Sequence, residues 1–84
     1  MFYIFSQDKK VVTPFGEDKN SRLKIDSSTE KIKLLLESKT LIITLGEFET
    51  KQQCTVCIRT ILDKYTNSNG NGYYEINSAK YYNY

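Results

Sequence analysis

Two cysteines, Cys54 and Cys57, stand three residues apart in "QQCTVCIRTILDKY", and they are the only thiols in a chain of 84 residues without histidine. A C-x-x-C pair has three chemical readings: a redox couple, half of a metal site, or two small apolar residues on one helix face. The redox couple needs its first thiol at a helix N-terminus, where unpaired amides and the helix dipole lower its pKa. Thr50 and Gln53 have the T-x-x-Q spacing of a capping box, which starts the helix at Lys51 and puts Cys54 a full turn inside. A structural metal site needs four nitrogen or sulfur ligands, so two thiols would have to be completed across a dimer. The third reading fits the pattern. Apolar residues recur at 54, 57, 58, 61, 62 and 65, the ladder of one buried face. Cys54, Cys57, Ile58, Ile61, Leu62 and Tyr65 are therefore expected to be the core side of the helix, with no metal and no cofactor.

Other catalytic groupings are absent from the sequence. Without histidine there is no ordinary general base near neutral pH. Ser27, Ser28, Ser68 and Ser78 lie in turn-like contexts with no nucleophile elbow around them. Asp26 and Glu30 flank a turn without forming a recognisable carboxylate pair. The "GNG" segment follows the helix, whereas a phosphate-cradling loop precedes one. The chain reads as a non-enzyme.

Tyrosine is the unusual residue. Tyr73, Tyr74, Tyr81, Tyr82 and Tyr84 fall within the last twelve positions, and tyrosine combines large contact area with a polar tip. These side chains can stack a base or dock a protein, or pack beneath the helix. The residues selected for a ligand or partner are Tyr73, Tyr74, Tyr81 and Tyr82, with Lys9, Lys10 and Arg22 available to phosphates.

The elements that would position these groups are legible in part. "FYIFS" reads as a strand, with "KVVT" returning as its hairpin partner until Pro14 stops the pairing. "RLKID" alternates as a half-buried strand. Ile32–Leu36 and Leu41–Leu45 form a hairpin around "ESKT", with a bulge or bend at Gly46. The helix ends in "TNSNGNG", and "YYEIN" is a short last strand. Strands, one helix and a strand imply an α+β fold: a small antiparallel sheet of about five to six strands covered on one face by a single amphipathic helix. Residues 1–77 make one domain, and 78–84 a tyrosine-rich tail whose removal should leave stability nearly unchanged.

Formal net charge is +2, with lysines and arginines interleaved among acids. That balance opposes a nucleic-acid-binding role. The opening "MFYIF" is too short for a signal peptide or a membrane span, which points to the cytoplasm and to reduced thiols. A core this small gains from association, so a homo-oligomer is compatible with the chain.

"FSQDKKVV" and "LGEFETKQQCTVCIRTIL" resemble a group of short proteins from phages and prophages of Gram-positive bacteria. Ser6, Gln7, Asp8, Lys9 and Lys10 match the group's "SQDKK" turn. Leu45, Gly46, Glu47 and Phe48 match its "LGEY" strand end, with Phe for Tyr. Cys54 and Cys57 stand where those proteins have Ala and Val, Gln52 and Gln53 depart from an acidic helix start, and the tyrosine-rich end lies outside the pattern. The resemblance implies a genomic setting without a mechanism; small phage proteins of this kind often bind host regulators or defence components. The expected function is a small binding module acting stoichiometrically on a host protein, as a regulatory or counter-defence inhibitor. The alternative is an oligomer that sequesters a nucleotide.

Overall fold

The computed structural model describes residues 1–16 and 20–81. Its element order is β1 (Phe2–Phe5), β2 (Val12–Phe15), β3 (Arg22–Asp26), β4 (Ile32–Glu37), β5 (Ile42–Phe48), α1 (Lys51–Asn67), β6 (Gly72–Glu75) and a 3-10 turn, Ser78–Tyr81. Among the described residues there are six strands and one helix, the α+β class the sequence implies, though not its single antiparallel sheet. The strands divide into two sheets of three, ordered β2-β1-β6 and β3-β4-β5. All pairings are antiparallel except β1 with β6, which run parallel, with Tyr3 opposite Tyr73. A parallel pair needs a long crossover, and everything from β2 to α1 serves as that crossover.

Pro14 lies inside β2 rather than ending it. Gly72 N–H donates to Met1 O and Ile76 N–H to Phe5 O, so the odd-numbered residues of β1 face β6 and the even-numbered ones face β2. On β2, Thr13 and Phe15 oppose those even residues, and the donorless nitrogen of Pro14 points out of the sheet. An outward position on an edge strand is where proline costs no ladder bond.

Between the sheets and the helix sits one core. Phe2, Ile4, Leu34, Leu45, Ile61, Ile76, Cys54 and Cys57 are all fully buried. Leu45 enters it because β5 bulges there: Leu34 opposes Gly46 and Leu35 opposes Thr44, leaving Leu45 as the extra residue. Gln7 joins the two sheets, its N–H donating to Leu45 O at 2.8 Å and its Oε1 accepting from Glu47 N–H at 2.7 Å.

The helix starts where the capping box places it. Thr50 Oγ1 accepts from Gln53 N–H at 3.1 Å, and Gln53 Oε1 accepts from the amides of Glu49 and Thr50. Those reciprocal bonds draw Gln53 inward until it is buried. Leu62, expected in the core, is 43% exposed. Each residue turns about 100° round the helix, and the buried arc is pulled toward Gln53, Cys54, Cys57 and Ile61. Leu62 therefore falls beyond its far edge, while Ile58 and Tyr65 stay partly buried against the core.

Candidate functional site

Alternation along the strands decides which side chains each sheet presents to solvent. On the outer side of the second sheet, register places Arg22, Glu37 and Ile42 in one row and Lys24, Leu35 and Thr44 in the next. A third row holds Asp26, Lys33 and Glu47. Arg22 Nη2 donates to Glu37 Oε1 at 2.8 Å, and Lys24 Nζ lies 3.4 Å from Glu37 Oε2. Those bonds, Arg22's first, hold the Glu37 carboxyl below the usual carboxylate range. This is an ordinary solvated face.

The first sheet is different. Its outer rows are Pro14–Tyr3–Tyr73 and Val12–Phe5–Glu75. Five of these six residues are apolar or aromatic, and Tyr3, Val12 and Tyr73 are 39%, 50% and 57% exposed. Phe5 and Tyr73 meet edge to face at 5.6 Å, so the aromatic surface is laterally supported. Glu75 is neutralised by Lys9, whose Nζ lies 3.3 Å from Glu75 Oε2 and 3.4 Å from Ile76 O. Past the β2 edge the apolar surface continues into a cleft of about 230 Å³ lined by Pro14, Leu41 and Ile43. Sequence reasoning missed Tyr3, Phe5, Val12 and Pro14.

The residues selected from sequence are scattered by the fold. Tyr73 and Lys9 flank the outer face of the first sheet, and Lys10 is exposed in the β1–β2 turn. Arg22 is engaged with Glu37 on the other sheet. Tyr73 and Tyr74 are consecutive in a strand and point to opposite sides, so they do not flank one base. Tyr74 and Tyr81 are buried rather than presented to a ligand, and their hydroxyls hydrogen-bond to each other. Tyr82 lies outside the described residues.

Beneath Tyr81 lies the cysteine pair. Burial pushes Cys54 up to about 11 and Cys57 up to about 12, the second offset in part by a hydrogen bond with the Tyr81 hydroxyl. Burial raises Tyr74 and Tyr81 as well. Such thiols are protonated at neutral pH and inert as nucleophiles. The double change Cys54→Ala, Cys57→Val is expected to cost about 1–2 kcal/mol in urea unfolding, the range of modest core exchanges. In the wild type a thiol-reactive disulfide reagent should label these cysteines only as fast as the molecule opens. Their raised values mean that the unfolded chain deprotonates first, so stability is full below about pH 9 and falls as pH rises toward 11–12. The double variant should show a smaller alkaline decline; an equal one would place the titration on the tyrosines alone.

Among the described residues, no group of three or more Cys, Asp or Glu could hold a metal ion, and no helix is long and apolar enough to cross a membrane. In comparisons with known proteins, no family model matches the chain, and no curated protein or solved structure is significantly similar to it.

Proposed function

We propose that the chain is a non-catalytic binding module that acts stoichiometrically on a protein partner, docked on the outer face of the first sheet. The observation that carries this reading is the contrast between the two outer faces of one molecule. The second sheet's outer rows hold six charged residues, three of them joined through Glu37, and only Ile42 and Leu35 as apolar members; the first leaves Tyr3, Phe5, Val12, Pro14 and Tyr73 there. Their exposed area is roughly 300 Å², taking 150–250 Å² for a fully exposed aromatic side chain. The largest apolar patch on a monomer is commonly about 300–600 Å² and is often functional. The face carries no net charge, which suits an apolar protein surface and disfavours nucleic acid.

Tyr3→Lys combined with Val12→Lys tests the reading, since both side chains point to solvent and the core is untouched. Desolvating two ammonium groups in an apolar contact should weaken partner binding by at least about tenfold. The measurement is affinity purification from a Gram-positive cell extract, wild type beside variant, with mass spectrometry of what co-elutes. A protein recovered stoichiometrically with the wild type and lost with the variant is expected. Equal recovery with both would remove this face from the function.

A further inference from the structure

Both sheets have exposed edges, and three of the four carry a device that blocks strand addition. Pro14 interrupts the outer edge of β2. Gln7 occupies the β5 edge, bonding Leu45 O and Glu47 N–H as an added strand would. Along β3, Arg22, Lys24 and Asp26 alternate with the inward residues, the charged pattern that discourages edge pairing. The fourth edge, β6, has neither a proline nor a side chain bonded along it, and Glu75 is its single charged residue.

The geometry points to β6 as a strand-accepting edge, taking an extended acidic peptide segment of a protein partner into the first sheet. The ladder to β1 uses Gly72 and Ile76, and by the two-residue alternation Tyr74. The N–H and C=O groups of Tyr73 and Glu75 must therefore point the other way, and no described residue meets them. They face an open cleft of about 470 Å³, bounded by β6, by Lys64 in the last turn of α1 and by Lys80 of the 3-10 turn. Four backbone groups at two-residue spacing are what an added strand requires.

Charge selects the occupant. Lys64 and Lys80 form no ion pair among the described residues, and Lys80 Nζ sits 5.8 Å from the centre of the Tyr74 ring. Lys9 stands at the far end of the strand, where it already balances Glu75. A strand lying along β6 would thus pass Lys64 and Lys80, and acidic side chains at every second residue, all on that one side, would meet them. The inference builds on the protein-binding reading above but uses different atoms, backbone and lysines instead of the aromatic face.

The probe is an eight-residue peptide alternating Glu with Val, blocked at both ends, against the same peptide with Lys for Glu. Nuclear magnetic resonance of the labelled protein should show the Tyr73 and Glu75 amides shifting and gaining protection from hydrogen exchange with the Glu peptide. Glu75→Pro deletes one outward donor without touching the β1 ladder, and Glu75→Ala controls for the lost ion pair with Lys9. Binding should be about fivefold or more weaker in the proline variant than in the alanine one. Lys64→Glu with Lys80→Glu, an exposed pair of changes, should reverse the preference between the two peptides even if the proline variant folds poorly. Equal binding of both peptides to the wild type, or saturation without protection at Tyr73 and Glu75, would overturn the inference. Tyr3→Lys with Val12→Lys should leave edge protection intact. Loss of the edge effect with partner capture retained defeats this inference alone, and the reverse result defeats the face alone.

Discussion

Replacing Tyr81 with alanine is expected to destabilise the protein by about 3–5 kcal/mol, the range for deleting a buried aromatic side chain. Tyr81 is only 3% exposed, held by a 3-10 turn beyond the last strand. Its ring meets Phe48 edge to face at 5.9 Å, and its hydroxyl hydrogen-bonds to that of Tyr74. Alanine removes the ring and also strands the Tyr74 hydroxyl in the core. In a domain of this size, that loss would lower Tm by about 12–40 °C, at roughly 4–8 °C per kcal/mol. Tyr81→Phe separates the two contributions. It keeps the ring and forfeits only the hydroxyl network, so about 1–2 kcal/mol is expected. Truncation before Ser78 should match the alanine variant. If thermal melts of the truncated protein overlay the wild type, the docking of this turn on the core is wrong.

That expectation reverses the one drawn from sequence, where residues 78–84 read as a tail. The reason is instructive. A helix or a hairpin announces itself by a period, but Tyr81 is a single anchor after a polar run, and one residue has no period. The capping box at Thr50 and Gln53 was legible because its chemistry is local, closing between residues three apart. The pairing of β6 with β1 joins positions seventy residues apart, and nothing local in either strand encodes a parallel partner. Strand alternation likewise shows which residues share a face without saying which strands share a sheet.

The candidate face had a signal that tyrosine counting passed over. "FYIF" is apolar at every position, so whichever side turns to the core, the other side is apolar too. A run of that kind is expected where a sheet is covered on both faces. Here the inner face is covered by the core, and no described residue covers the outer one. Density of tyrosine pointed to the C-terminal residues; the unbroken apolar run in β1 pointed to the face. Tyr73 lies in the C-terminal tyrosine cluster and also, as β6 pairs with β1, on that face, and among the described residues it alone of the selected tyrosines is well exposed.

Gly16→Ala should be nearly as damaging as the loss of Tyr81, from a position exposed at the surface. Gly16 follows β2 with φ +92°, a backbone state costing an L-residue about 1–2 kcal/mol. A Cβ there would also lie 2.5 Å from Cε2 and Oη of Tyr65, far inside contact distance. The ring cannot swing aside freely. Phe2 and Phe15 hold it edge-on at 5.5 and 5.4 Å, and each such aromatic pair contributes about 0.5–1.5 kcal/mol beyond its burial. The sum is about 2–5 kcal/mol for alanine, read by urea unfolding. Tyr65→Ala supplies the decisive comparison, because it removes the obstacle and leaves the backbone strain. In that background Gly16→Ala should cost only about 1–2 kcal/mol, so the two changes are less than additive. Because Phe2 opens β1 and Met1 O receives the Gly72 amide, a displaced Tyr65 should loosen the first sheet before the second. Hydrogen exchange in Gly16→Ala is then expected to rise at β1 and β6 ahead of β4 and β5. An equal cost in both backgrounds would mean that the strain lies wholly in the backbone, and that the ring yields without resistance.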